Sequence, residues 1–231
     1  LPVMKTQGVL CYEDLLVSES GTYTWPTFDE RAASSLCYTS GTTGNPKGAL
    51  YSHRSTVLHA MASALPDTIS CSARDVILPV VPMFHVNAWG IAYSAPMVGA
   101  KLVFPGSRLD GASVYELIEE EGVTMSAGVP TVWLGLLQHV QGKGLKFSTF
   151  NRTVIGGSAV PPAMMTAFQA LGVEVVHAWG MTELSPLGTI GHLKAKHAGA
   201  TPQEKQAVRE KQGRGIYGID MKIVGADGEE L

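Results

Sequence analysis

Residues 39–48 read Thr39-Ser-Gly-Thr-Thr-Gly-Asn-Pro-Lys-Gly48. Glycines let a backbone turn tightly and bring its N–H groups close to a ligand, hydroxyl side chains add hydrogen-bond donors, and Lys47 supplies a positive charge. The hydroxyl and glycine positions before this lysine are Thr39, Ser40, Gly41, Thr42, Thr43 and Gly44. The stretch therefore predicts a loop that binds phosphate groups.

A polar surface loop is the alternative interpretation, because Gly, Ser, Thr, Asn and Pro all favour turns without any ligand. Asn45-Pro46 is an ordinary way to begin a turn. Four hydroxyls and a lysine between glycines exceed what a turn needs, so we favour the phosphate loop. The spacing differs from that of a P-loop, because only two residues separate Gly41 from Gly44 and Lys47 precedes a glycine. We expect a phosphate loop of another kind.

Short apolar segments alternate with longer helical ones along most of the chain. Segments typical of strands lie at 35–39, 49–52, 75–80, 101–104, 123–126, 152–155 and 173–177. Helical segments lie at 53–65, 86–98, 113–121, 130–141 and from Pro161-Pro162 to about residue 171. This alternation predicts an α/β fold with a mostly parallel sheet flanked by helices.

Five loops are expected to meet at one edge of this sheet, because open α/β sheets bind ligands beyond the carboxyl ends of their strands. They are the phosphate loop, Pro82-Met-Phe-His85, Gly128-Val-Pro130, Gly156-Gly-Ser158 and Trp179-Gly-Met-Thr-Glu183. Together they predict a single site.

Taken alone, these loops have ordinary structural explanations. Trp179 would be a core residue, Glu183 a solvated charge, Gly156-Gly157 a tight turn and His85 a buried histidine. By its chemistry alone, an indole offers a flat surface and a carboxylate is a suitable ligand for a hard cation. Trp89 lies four residues after His85, so both are expected on one helical face.

The 39–48 loop resembles the signature loop of the adenylate-forming superfamily, which includes acyl-CoA synthetases, luciferases and adenylation domains. The order aromatic-Gly-x-Thr-Glu at 179–183 is similar to a second signature of that family, with Trp179 where Tyr or Phe is usual. The resemblance implies an acid–thiol ligase of the short- to medium-chain fatty-acid type. It also implies ATP and coenzyme A as co-substrates and Mg²⁺ as the metal.

The resemblance implies a role for each site residue. Lys47, Thr182, Glu183 and His85 are implied as catalytic, with Lys47 and the loop hydroxyls on the β- and γ-phosphates and Thr182 on the α-phosphate. Thr42 and Glu183 are implied as Mg²⁺ ligands. The implied adenine-binding residues are Gly157, Ser158, Ala159, His177, Ala178, Trp179 and Gly180. The implied acyl-pocket residues are His85, Trp89 and Gly128.

Members of this family are much longer than the 231 residues present. We therefore expect residues 1–35 to be an edge segment of a truncated N-terminal domain, residues 36–231 to be the nucleotide- and acyl-binding core, and the C-terminal domain to be absent. Such a fragment is expected to form no acyl-adenylate at a useful rate. Two alternatives stay open: a phosphate-loop protein that hydrolyses ATP to ADP, and a non-catalytic nucleotide-binding fragment.

Composition bears on partners and compartment. The formal charge of −3 and the pI of about 6.2 provide no basic surface for nucleic acid. Residues 77–100 contain no Asp, Glu, Lys or Arg, but three prolines within them oppose a transmembrane helix. The resemblance implies small-molecule partners, namely a carboxylic acid, ATP and coenzyme A. A reducing compartment, and hence the cytoplasm, is expected from three unpaired and widely spaced cysteines, Cys11, Cys37 and Cys71.

Overall fold

The computed structural model describes residues 8–39 and 44–231. The chain forms two compact units, Leu1–Glu30 and Arg31–Leu231. The sequence analysis placed the boundary after residue 35. All the predicted site residues belong to the second unit.

The described part of the first unit is mostly irregular. Its one helix, α1 (Tyr12–Val17), has no buried residue. The rings of Tyr23 and Trp25 pack edge to face, with their centroids 5.0 Å apart. In the described parts of either unit, we find no helix long and apolar enough to cross a membrane.

Strands and helices alternate through most of the second unit. The strands are β1 (Ala33–Thr39), β2 (Lys47–Ser52), β3 (Val76–Pro79), β4 (Lys101–Leu102), β5 (Met125–Gly128), β6 (Arg152–Ile155), β7 (Glu174–Gly180), β8 (Leu187–Ile190) and β9 (Arg214–Gly215). The helices are α2 (His53–Ala64), α3 (Val86–Trp89), α4 (Ile91–Val98), α5 (Gly111–Glu121), α6 (Pro130–Gly142), α7 (Pro162–Ala170) and α8 (Pro202–Arg209). Two 3₁₀ turns lie at Thr182–Leu184 and Ala195–His197.

Local residue chemistry explains where several helices begin and end. Ser52 caps α2 in a capping box with Ser55, so two backbone N–H groups at the start of the helix are satisfied. Asp110 accepts a hydrogen bond from the N–H of Ser113 at the start of α5. Gly122 ends α5 with a φ of +65°, which glycine adopts readily.

The main sheet has seven strands in the order β4-β3-β5-β6-β7-β8-β9. The first five run parallel, whereas β8 pairs antiparallel with β7 and β9 pairs antiparallel with β8. The predicted α/β fold with a mostly parallel sheet is confirmed. Strand β8 was not predicted, because its sequence Leu-Gly-Thr-Ile is short and contains a glycine that weakens the strand signal.

Apolar side chains cover both faces of this sheet. One face packs against α5, α6 and α7 through a cluster that includes Trp133, Phe168 and Ile118. The other face packs against α4 through a cluster that includes Ile91 and Met125. Burial on both faces explains why the parallel strands contain few charged residues.

Strands β1 and β2 form a separate two-stranded antiparallel hairpin. Thr39, the last residue of β1, pairs with Lys47, the first residue of β2. The expectation that the phosphate loop follows a strand of the main sheet is therefore wrong. Residues 40–46 instead connect the two strands of the hairpin.

Candidate functional site

A cavity of about 200 Å³ opens at the carboxyl ends of β6 and β7. Ile155, the last residue of β6, pairs with His177 of β7, so the glycines that follow Ile155 lie beside residues 178–180. Three of the predicted loops contribute to this cavity. The predicted site residues that line it are His85, Trp89, Gly157, Ala178, Trp179, Gly180 and Thr182.

Two adjacent glycines form one wall of the cavity because side chains would not fit there. A Cβ atom at Gly156 would lie 2.8 Å from the carbonyl oxygen of Ala178. Gly157 has a φ of +78°, a conformation that residues with a Cβ rarely adopt. Both positions therefore present only backbone to the cavity that they line.

The indole of Trp179 lies against the backbone of the neighbouring strand. A Cβ atom at Gly188 of β8 would lie only 2.6 Å from the Trp179 ring. Trp179 is half-buried and lines the cavity. One face of the ring is thus supported by β8, which holds a flat aromatic surface in place beside the cavity.

Residues 86–89 turn in the opposite sense to an ordinary helix. All four have φ between 44° and 57°, which costs roughly 1–2 kcal/mol per residue. The side-chain amide of Asn87 donates to the hydroxyl of Ser35 at 3.0 Å and stabilises the turn. His85 and Trp89 do line the same cavity, but not on one face of a right-handed helix as expected.

The Thr182–Leu184 turn lies where β7 leaves the cavity. Thr182 is half-buried and Glu183 is exposed. The hydroxyl of Tyr51, on the hairpin, donates a hydrogen bond to the carbonyl oxygen of Thr182. Burial, together with nearby Cys37 and Glu183, raises the pKa of Tyr51, so this hydroxyl keeps its proton and remains a donor.

The hairpin places Lys47 at its tip, with an exposed side chain. The hydroxyl of Thr39 donates to the carbonyl oxygen of Lys47 at 3.4 Å, which closes the hairpin below the loop. Gly44 has a φ of +136°, within the region that favours glycine. The remaining predicted phosphate-loop residues, Ser40, Gly41, Thr42 and Thr43, lie outside the described residues.

Five other predicted residues in the described part of the chain do not line the cavity, namely Gly128, Ser158, Ala159, His177 and Glu183. Ser158 and Ala159 are exposed just beyond it. Gly128 is the last residue of β5. A Cβ atom there would point to the other face of the sheet, 2.7 Å from the ring of Trp133. Their roles in the site stay predictions.

His177 is buried within the sheet, with 3% of its surface exposed. Its Nδ1 lies 3.0 Å from the carbonyl oxygen of Glu210, so Nδ1 carries the proton and donates. Nε2 has no hydrogen-bond partner among the described residues. Burial lowers the pKa of His177, which keeps the ring neutral and Nε2 an acceptor.

The sequence analysis missed His59, which lies on α2 behind the cavity. Its Nε2 accepts a hydrogen bond from the backbone N–H of Leu187 at 3.1 Å. A Cβ atom at Gly90 would lie 2.6 Å from the His59 ring. No local motif marks this residue, because its partner is 128 positions away in the chain.

The donor atoms near Thr182 fit a magnesium ion that is bound together with a nucleotide. Proteins usually hold Mg²⁺ through one or two carboxylates and the phosphates of a substrate. Glu183 offers one exposed carboxylate. In residues 8–39 and 44–231, three or more His, Cys, Asp or Glu side chains nowhere converge on a possible metal position. The second implied ligand, Thr42, is outside these ranges.

Comparison with known proteins identifies sequence relatives along nearly the whole chain. Residues 4–231 match the family model described as AMP-binding enzyme. The medium-chain-fatty-acid–CoA ligase of Ectopseudomonas oleovorans is 59% identical over 225 residues, which are 97% of this chain and 41% of the relative. The 3-methylmercaptopropionyl-CoA ligase of Ruegeria lacuscaerulensis is 53% identical over 97% of this chain and 42% of its own length.

A solved structure has a similar fold. The inhibitor-bound N-terminal domain of FACL13 from Mycobacterium tuberculosis superposes with a TM-score of 0.80 at 28% identity. The match covers 95% of this chain and 52% of that one. The chain thus spans about two fifths of the length of the curated relatives described above.

Proposed function

This chain belongs to the family of AMP-binding enzymes, and from that premise we propose that it is the nucleotide- and acyl-binding part of an acyl-CoA synthetase. The proposed substrate is a fatty acid or another apolar carboxylic acid. Two relatives named as ligases of medium-chain fatty acids and of 3-methylmercaptopropionate support this choice.

The proposed reaction has two steps. A carboxylate oxygen attacks the α-phosphorus of ATP, the bond to the β-phosphate oxygen breaks, and pyrophosphate leaves. The thiol of coenzyme A then loses its proton and attacks the acyl carbonyl carbon, and AMP leaves. Bound with the nucleotide, Mg²⁺ would offset negative charge on the phosphates.

The residues of this chain bind and orient the reactants in this proposal. Trp179 stacks on adenine beside the open backbone of Gly157. Thr182 donates to the α-phosphate, and Glu183 holds the magnesium ion. Lys47, at the hairpin tip, holds the β- and γ-phosphates as a point charge.

One observation carries the proposal: three separate stretches of sequence meet in a single cavity. His85 and Trp89 come from the turn after β3, Gly157 from the loop after β6, and Trp179 and Thr182 from the end of β7. Loops after neighbouring parallel strands meet in any open α/β sheet, but here they bring an indole, a glycine backbone and a hydroxyl to one cavity. The convergence places an aromatic surface beside an apolar space.

The cavity lining favours an uncharged acyl tail. Ile69, Val154 and Leu187 contribute apolar surface to it. Among the described residues that line the cavity, none is Asp, Glu, Lys or Arg. A carboxylic acid with a second charge would lose its hydration there without gaining a partner.

Nucleotide binding is the first test. We expect isothermal titration calorimetry to show that AMP binds this chain, and that Trp179→Ala weakens AMP binding about tenfold because the stacking surface is lost. The matched control is Trp25→Ala, which removes an exposed indole from the other unit and leaves the affinity unchanged. Equal affinities of wild type and Trp179→Ala would contradict the assignment of the adenine site.

A second test addresses the acyl substrate. We expect an octanoyl sulfamoyl adenosine, which mimics an acyl-adenylate, to bind this chain at least tenfold more tightly than its acetyl counterpart. Burying two additional methylenes alone is worth about 1.6 kcal/mol, or slightly more than tenfold. Competition against AMP measures the difference, and equal affinities would contradict an apolar acyl site.

Product analysis distinguishes the alternatives. Orthophosphate and ADP from ATP, independent of any carboxylate, would identify a phosphate-loop ATPase. Binding of AMP without discrimination between the two acyl analogues would identify a non-catalytic nucleotide-binding fragment. Pyrophosphate formation that depends on fatty acid would support the proposed reaction directly and would contradict the expectation that this chain alone forms no acyl-adenylate at a useful rate.

A further inference from the structure

The segment 182–187 borders the cavity and is held at both of its ends by side chains from outside the main sheet. At one end, the hydroxyl of Tyr51 donates to the carbonyl oxygen of Thr182. At the other end, Nε2 of His59 accepts from the N–H of Leu187 at 3.1 Å. Both contacts come from the hairpin and the helix that directly follows it, β2 and α2.

Tyr51 is itself fixed in place by its surroundings. Its ring packs in a buried cluster with Cys37 and Val86, and 6% of the residue is exposed. The hydroxyl of Ser34 donates to the carbonyl oxygen of Tyr51 at 3.2 Å. The phenol ring therefore packs between the hairpin and the turn that carries Trp89.

The position of Tyr51 along its strand connects the two parts of the proposed phosphate site. Lys47 and Tyr51 lie four residues apart on β2. An extended strand covers about 13 Å over that separation. One rigid element thus carries the lysine at one end and the hydroxyl that contacts Thr182 at the other.

We propose that Tyr51 and His59 are positioning residues, which hold segment 182–187 so that Thr182 and Glu183 face the hairpin tip that carries Lys47. The inference rests on the proposed function, in which these three residues bind the phosphates and Mg²⁺. Neither Tyr51 nor His59 touches the nucleotide. They act through the backbone of the segment between them.

Tyr51→Phe tests the proposal with a small change, because the variant keeps the ring and loses only the hydroxyl. The matched control is Tyr115→Phe. Tyr115 lies on α5, far from segment 182–187 in the fold, and its hydroxyl donates to the carbonyl oxygen of Lys146 at 2.9 Å. Both variants lose one hydrogen bond from a tyrosine to a backbone carbonyl. The Tyr51 bond is partly buried and the Tyr115 bond is exposed, so the free energy of unfolding of each variant is measured by urea denaturation alongside the binding.

Calorimetric titration separates positioning from stacking. We expect Tyr51→Phe to weaken the binding of ATP with Mg²⁺ about fivefold, which is the worth of one hydrogen bond. Adenosine has no phosphate, so its affinity for Tyr51→Phe is expected to equal that for the wild type. Tyr115→Phe is expected to change neither affinity.

Hydrogen exchange gives a readout that needs no ligand. Amides of residues 181–190 are expected to exchange faster in Tyr51→Phe than in the wild type, whereas Tyr115→Phe leaves them unchanged. His59→Leu, which removes the acceptor at the other end of the segment, is expected to give the same two results as Tyr51→Phe.

The outcomes distinguish this proposal from the one on which it rests. If the wild type binds neither adenosine nor ATP, the proposed function fails and this inference fails with it. If the wild type binds both, but Tyr51→Phe and His59→Leu leave the affinity for ATP and the exchange rates unchanged, the positioning role alone is overturned.

Discussion

Burial lowers the pKa of His59 to about 4, because the ring is almost fully removed from water. An exposed histidine in the unfolded chain has a pKa near 6.5. The neutral ring is also the form that the structure requires, since a protonated Nε2 could not accept from the N–H of Leu187. The stability of the protein and the geometry of segment 182–187 thus both depend on a neutral His59 ring.

A pH dependence of stability follows from this residue. Above about pH 6.5 the ring is neutral in both states and its contribution to stability is complete. Between about pH 6.5 and pH 4 only the unfolded chain takes up the proton, so the free energy of unfolding falls as the pH falls, by a total on the order of 3 kcal/mol. Below about pH 4 the His59 ring is protonated in both states, so this group lowers the free energy of unfolding no further.

Urea denaturation at several pH values measures this effect. We expect the difference in unfolding free energy between the wild type and His59→Gln to shrink as the pH falls from 7 to 4.5, because only the wild type carries this proton linkage. Parallel curves for His59→Gln would contradict the assignment.

At the scale of elements, an ion pair connects the starts of three neighbouring strands, at the edge of the sheet opposite the cavity. Arg152, the first residue of β6, lies 3.2 Å from Asp75, just before β3. The same carboxylate accepts from the hydroxyl of Thr124, just before β5, at 2.9 Å and from the N–H of Ser72 at 2.9 Å. Both charged side chains are largely buried.

Removing one partner of this pair should therefore be costly. We expect Arg152→Met to lower the free energy of unfolding by about 3 kcal/mol, because it leaves the Asp75 carboxylate buried without a positive partner. Arg214→Met is the control: Arg214 and Asp67 are only 2.6 Å apart, yet more than half of each side chain is exposed, and such pairs contribute about 0–1 kcal/mol. Equal losses in the two variants would contradict the role of burial.

At the scale of the whole molecule, the fold was predictable from the sequence because its signals are local. Alternating apolar and helical segments reflect the burial of each strand on both faces, so the parallel strands β3 and β6 were predicted close to their observed bounds. The strand β8 was missed since its pairing with β7 depends on a partner and not on its own residues.

The candidate site was predictable in part for the same reason. Residues next to glycines at strand ends, such as Gly157 and Trp179, have a recognisable local pattern and meet in the cavity. The left-handed turn at 86–89 has no such pattern, because Val, Asn, Ala and Trp adopt it only when the surrounding contacts outweigh its cost. No local sequence pattern marked Tyr51 or His59 as a site residue.

The sequence by itself determined the α/β class and the family, and it marked the stretches that are proposed to carry the chemistry, because each depends on residues close together in the chain. Only the tertiary structure decided that the loop at 39–48 joins the strands of a separate hairpin. It also decided that Tyr51 and His59, from that hairpin and the following helix, hold Thr182 and Leu187. Contacts between residues more than a hundred positions apart arise from packing, which no local pattern records.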